Sequence, residues 1–65
     1  MVDERVLERA EELREDCADQ TVDELYENAR NYHLWALGCD DDDEAEDYEL
    51  TADALRLLAQ EKENK

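Results

Sequence analysis

The chain has 65 residues, with 22 Asp and Glu against 7 Lys and Arg, a formal net charge of -15, 42% hydrophobic residues, one Gly and no Pro. So short a chain makes one domain, and this charge repels DNA, RNA and anionic membranes, which excludes direct nucleic-acid binding. No apolar run approaches the roughly 18 residues of a membrane span, and Met1-Val2-Asp3-Glu4-Arg5 is not a signal peptide, so a cytoplasmic protein is expected.

Regularly spaced apolar residues predict a folded domain despite the charge, and abundant Glu, Leu, Ala and Arg predict helices throughout. The first helix is expected over 4–18, with Asp3 as N-cap and Val2 and Leu7 as a hydrophobic staple. Val6, Ala10, Leu13 and Cys17 form its apolar stripe, widened by Leu7 and Ala18. Asp19 and Gln20 make the turn. Thr21-Val22-Asp23-Glu24 has the form of a capping box, opening a helix over 22–37 that stops at Gly38 in a left-handed cap. Its inward stripe reads Val22, Leu25, Tyr26, Ala29, His33, Ala36 and Leu37, with Leu34 and Trp35 off that stripe.

The third helix is expected over 43–62, capped by Asp43, with Tyr48, Thr51, Ala52, Leu55 and Ala59 inward. A start at Thr51 is the alternative. Leu50, Ala54 and Leu57 form a second seam, either a more enclosed helix or an exposed face for a partner. The tail from Lys62 is expected to fray. Short loops then imply an all-α, small antiparallel three-helix bundle with no internal boundary.

Little in the chain suggests catalysis. The single histidine, His33, falls on an inward stripe, where a tyrosine hydroxyl or a carboxylate can satisfy it. Cys17 and Cys39 lack metal-ligand spacing and fall near opposite ends of the second helix, roughly 25 Å apart by helix rise. A disulfide needs Cα atoms within about 7 Å, so both are expected as free thiols. No metal or cofactor is expected. An EF-hand loop starting at Asp40 would put Ala45 at the glycine position and Thr51 at the bidentate glutamate position, and a start at Asp41 puts Ala45 at position five.

The strongest signal is acidic. Between Asp40 and Asp53 stand nine carboxylates and no Lys or Arg: Asp40, Asp41, Asp42, Asp43, Glu44, Glu46, Asp47, Glu49 and Asp53. Residues 1–20, 21–38 and 39–65 carry -5, -2 and -8, so the third segment dominates the field. On a helix the run places about one charge per 2–2.5 Å, against about one per 1.7 Å of duplex DNA axis. A merely solvated face is one explanation. Salt adaptation is another, since five Arg and two Lys fit a halophile's bias. Against the first stands self-repulsion, which an undemanding surface relieves by interspersing bases, as the first helix does.

Asp40 to Glu49, Asp53 and the face Glu8, Glu11, Glu12, Glu15 and Asp16 make the chain similar to small phage-encoded DNA-mimic inhibitors of the anti-CRISPR and anti-restriction type. The likeness lies in size, charge and predicted helicity across the whole chain, with no shared motif. It implies a non-enzymatic, stoichiometric inhibitor in a bacterial host cell that occupies a basic DNA-binding site, such as that of a CRISPR surveillance complex. The expected partner is a basic nucleic-acid-binding protein or complex. The carboxylates would replace phosphates, with Tyr48 and Trp35 as anchors, on a monomer or weak homodimer. The alternative is a structural or interaction module (antitoxin-like, an oligomer subunit or a designed bundle) whose partner reads the apolar seam.

Overall fold

Three helices, Glu4–Arg14 (α1), Val22–Leu37 (α2) and Asp42–Glu63 (α3), make up most of residues 3–64, the part of the chain that this computed structural model describes. Each begins on a side chain that satisfies an otherwise orphaned amide. Asp3 accepts the Arg5 N–H at 2.9 Å. At α2, Thr21 accepts the Glu24 N–H at 3.2 Å while Glu24 accepts the Thr21 N–H at 3.1 Å, the reciprocal capping box expected from the sequence. At α3 the cap is Asp41, whose carboxylate accepts the Asp43 N–H at 2.9 Å. The helix therefore starts ahead of the expected Asp43, and Asp42, Asp43 and Glu44 fill its first turn. Carboxylates there face the positive end of the helix dipole, which favours the earlier start.

Other expectations give way. Gly38 sits at φ -90°, ψ 0° and not in the left-handed region; its N–H reaches the Leu34 carbonyl at 3.2 Å, so the turn needs no positive φ. α1 stops at Arg14 instead of Ala18, and residues 15–19 continue as turns, with Ala18 N–H to Glu15 O at 3.3 Å and Gln20 N–H to Cys17 O at 3.1 Å. Glu15, Asp16 and Asp19 would crowd the negative end of a longer helix, which disfavours it. The tightened turns still bury Cys17. Lys62 is not frayed: it lies within α3 and donates to the carbonyls of Ala18 and Gln20, holding the α1–α2 turn. Of the expected staple, Val2 lies outside the described residues and Leu7 is 50% exposed.

α3 is the centre of the bundle. Among the described residues α1 and α2 each pack on α3 and not on one another. Arg5, Arg9 and Arg14 of α1 bond Glu46, Asp47 and Glu61 in ascending order, so α1 runs parallel to α3. Tyr26 meets Glu63 and His33 meets Glu49, so α2 runs antiparallel to it. By helical spacing Leu50, Ala54 and Leu57 share the α1 side with Asp47 and Glu61. The second seam is thus internal: Ala54 is fully buried, and Leu50 and Leu57 pack against the core. Ala52 and Ala59, also fully buried, lie on the α2 side with Tyr48.

The inward stripe of α2 is narrower than the sequence suggests. Leu25, Ala29 and Ala36 are buried, but Leu37 is 71% exposed and Tyr26 lies at the surface. Tyr26, His33 and Leu37 form the stripe's outer edge, where α3 offers Glu63 and Glu49 in place of apolar side chains.

A Cβ on Gly38 would meet nothing closer than the Leu34 carbonyl oxygen at 3.8 Å. Gly38→Ala is therefore expected to stabilise the fold by about 0.4–1 kcal/mol through the unfolded chain's entropy, where a left-handed cap would be destabilised. Thr21→Ala should cost about 1 kcal/mol. Urea unfolding followed by far-UV circular dichroism measures both.

Candidate partner-binding surface

The arginines of α1 determine which carboxylates of α3 remain free. Arg5 reaches Glu46 at 2.8 Å, and Arg9 reaches Asp47 at 2.8 Å while donating to Thr51 Oγ1 at 2.8 Å. Glu49 accepts from His33 Nδ1 at 2.5 Å, and Asp53 pairs with Arg56 at 3.0 Å. The acid run is thus less unbalanced than its sequence implies, because Arg5 and Arg9 reach it from α1 and Arg56 from three residues downstream.

Asp40 to Glu44 keep their charge. They are exposed in the α2–α3 turn and the first turn of α3, with no salt bridge to any of them among the described residues. Asp41 holds the Asp43 amide, and Glu44 accepts from the Cys39 thiol at 3.4 Å. A separate acidic face covers the outside of α1, with Glu4, Glu8, Glu11 and Glu15 exposed.

The two expected aromatic anchors belong to one cluster. Trp35 stands edge-on to Tyr32 with ring centres 5.1 Å apart, and Tyr48 lies 6.0 Å from Tyr32 and 6.2 Å from Trp35. Tyr48 is half-buried there, and Trp35 keeps 55% of its surface exposed. Leu34 and Leu37 add exposed apolar surface in the last turn of α2, close in sequence to the acid run. Leu37 escaped the sequence reading because four-residue spacing assigns it to the stripe of His33. Nothing in periodicity shows that this edge outruns α3.

Both cysteines are free. Burial, followed by the Asp16 charge, pushes the Cys17 thiol up. At Cys39 the backbone N–H of Asp41 favours the thiolate, but desolvation and the Glu44 and Asp41 carboxylates outweigh it and raise the pKa. Both effects keep the thiols protonated, the reverse of an activated nucleophile. His33 is engaged by Glu49. Among the described residues no three His, Cys, Asp or Glu gather to hold a metal ion, and no helix is long and apolar enough to cross a membrane.

Arg9 and Arg5 make equally short cross-helix bonds in different surroundings: the Arg9 side chain is 28% exposed and that of Arg5 is 60%. Exposed pairs contribute little and half-buried forks more, so Arg9→Gln is expected to cost about 1–2 kcal/mol and Arg5→Gln clearly less. Chemical denaturation with urea, an uncharged denaturant, ranks them. Added salt should raise the melting temperature of the parent chain by screening its net charge of -15. Comparison of the chain with protein-family models, with curated proteins and with solved structures finds no match.

Proposed function

We propose that this protein is a stoichiometric inhibitor that offers carboxylates in place of DNA phosphates to a basic nucleic-acid-binding site on another protein, such as the DNA channel of a CRISPR surveillance complex. The observation that carries this reading is the un-neutralised run Asp40 to Glu44 at one end of the bundle, close in sequence to exposed Leu34, Trp35 and Leu37. Five consecutive carboxylates without a base cost self-repulsion that α1 relieves elsewhere through its arginines. Dipole stabilisation of the first turn of α3 accounts for Asp42, Asp43 and Glu44, but Asp40 precedes the cap and has no such role. A DNA-binding site supplies Lys and Arg as counter-charges, and its apolar patches suit the neighbouring leucines.

A second reading, an interaction module using apolar contact alone, draws on Trp35, Leu34 and Leu37. Leu50, Ala54 and Leu57, which also suggested it, are taken up inside the bundle.

Neutralising Asp40, Asp42, Asp43 and Glu44 to Asn and Gln, with Asp41 kept as the α3 cap, separates the two. The mimic predicts that the parent chain retains a DNA-binding complex from bacterial lysate, that duplex DNA competes, and that retention falls steeply between about 0.05 and 0.2 M salt. The neutralised variant should keep its helical signal and lose retention by more than about tenfold in affinity. Undiminished retention by that variant, lost instead in Leu37→Asp, would establish the apolar module. A chain that folds only in molar salt would assign the acidity to salt adaptation.

A further inference from the structure

The two-sided packing of α3 leaves a groove of about 340 Å³ between α1 and α2. Thr51 and Leu55 of α3 line it, with Leu13 and Asp16 from the α1 side and Tyr32 and Trp35 from α2. Leu55 and Thr51 are buried, Leu13 and Tyr32 half-buried, and Trp35 mostly exposed. Asp16 is exposed and has no salt bridge among the described residues.

We propose that this groove is a docking site for one basic amphipathic helix of a partner protein, which completes a four-helix bundle around α3. The lining is mixed: Leu13, Leu55, Tyr32 and Trp35 give it an apolar strip, Thr51, Gln20 and Asn28 are polar, and Asp16 is its one acid, so on a chain of net charge -15 the matching occupant brings an apolar ridge with a Lys or Arg beside it. An apolar side chain seats against Leu13, Leu55 and Trp35, and a cation meets Asp16. The groove lies between two helices that both run along α3, and Asn28, Tyr32 and Trp35 repeat along α2 at four and three residues. Such a row of side chains accepts the ridge of another helix. A second copy fits poorly, because each chain carries -15. Nucleic acid is repelled on the same ground. None of Asp40 to Glu44 lines it, and Trp35 is the one residue it shares with the surface proposed above.

Trp35 is the only tryptophan and reports on the groove directly. The probe is a labelled peptide of about 18 residues with Leu along one helical face and Lys along the other. Its control is the same composition scrambled to abolish the helical period. In about 0.15 M salt the amphipathic peptide should bind saturably and shift Trp35 emission to the blue, and the scrambled one should not. Asp16→Lys should weaken binding by more than about fivefold and Trp35→Ala, followed by peptide anisotropy, by more than about tenfold. Both sites are exposed, so circular dichroism should stay unchanged. Neutralising Asp40, Asp42, Asp43 and Glu44 should alter peptide affinity by less than about threefold, because none of the four lines the groove. Equal binding of the scrambled peptide, or unaltered affinity in Trp35→Ala, overturns the site in favour of general attraction to an acidic surface. A blue shift on raising protein concentration alone assigns the groove to a second copy.

Discussion

Burial of α3 on two sides is the constraint from which the rest of the molecule follows. Neither α1 nor α2 has the other to pack on, so the apolar stripe of each is useful only against α3. That arrangement demands small side chains on the central helix. Ala52, Ala54 and Ala59 are fully buried, and the leucines buried with them among the described residues are Leu25, Leu55 and Leu58. Alanines bring backbones close and gain dispersion contacts but remove little apolar area from water. A core built this way is thin. Cross-helix bonds such as Arg9 to Thr51 and Asp47 therefore carry more of the stability than they would beneath a core of leucines.

Charge is organised by the same geometry. α1 balances its glutamates with arginines in sequence, yet in space those arginines turn towards α3 and leave most of the glutamates facing water. The helix that looks neutralised thus exports its bases to its neighbour. What remains is a field with two free acidic regions, the outside of α1 and the end formed by Asp40 to Glu44. Between them Glu46, Asp47 and Glu49 bond across to the neighbouring helices, and Asp53 pairs with Arg56 within α3. The mimic reading rests on the smaller, unpaired set.

How far the sequence could be read depended on whether a feature is local. The bounds of α2 were legible to the residue because the Thr21–Glu24 box and the helix stop at Gly38 act within a few residues of each end. The core positions Val6, Ala10, Cys17, Leu25, Ala29 and Leu55 followed from periodicity alone. The end of α1 did not, because Cys17 keeps its inward phase through a tightened turn. Leu50, Ala54 and Leu57 were visible as a seam, but periodicity cannot say which helix covers it. For the acid run, sequence revealed the charges and concealed their partners: the bases that pair with Glu46 and Asp47 lie some forty positions away. The groove was illegible for the same reason, since it exists only through the separation of α1 from α2.

Making the last helix the spine also orders events during synthesis. As the chain emerges from the ribosome, α1 and α2 precede α3, the helix on which both pack. An isolated helix of 11 or 16 residues is marginal in water. Their apolar stripes are thus covered only once α3 clears the exit tunnel, and Lys62 must follow before the α1–α2 turn is tied down. Mutual repulsion along that acidic stretch keeps it extended and soluble until then. The charge that burdens the finished fold thus protects the unfinished one from aggregation.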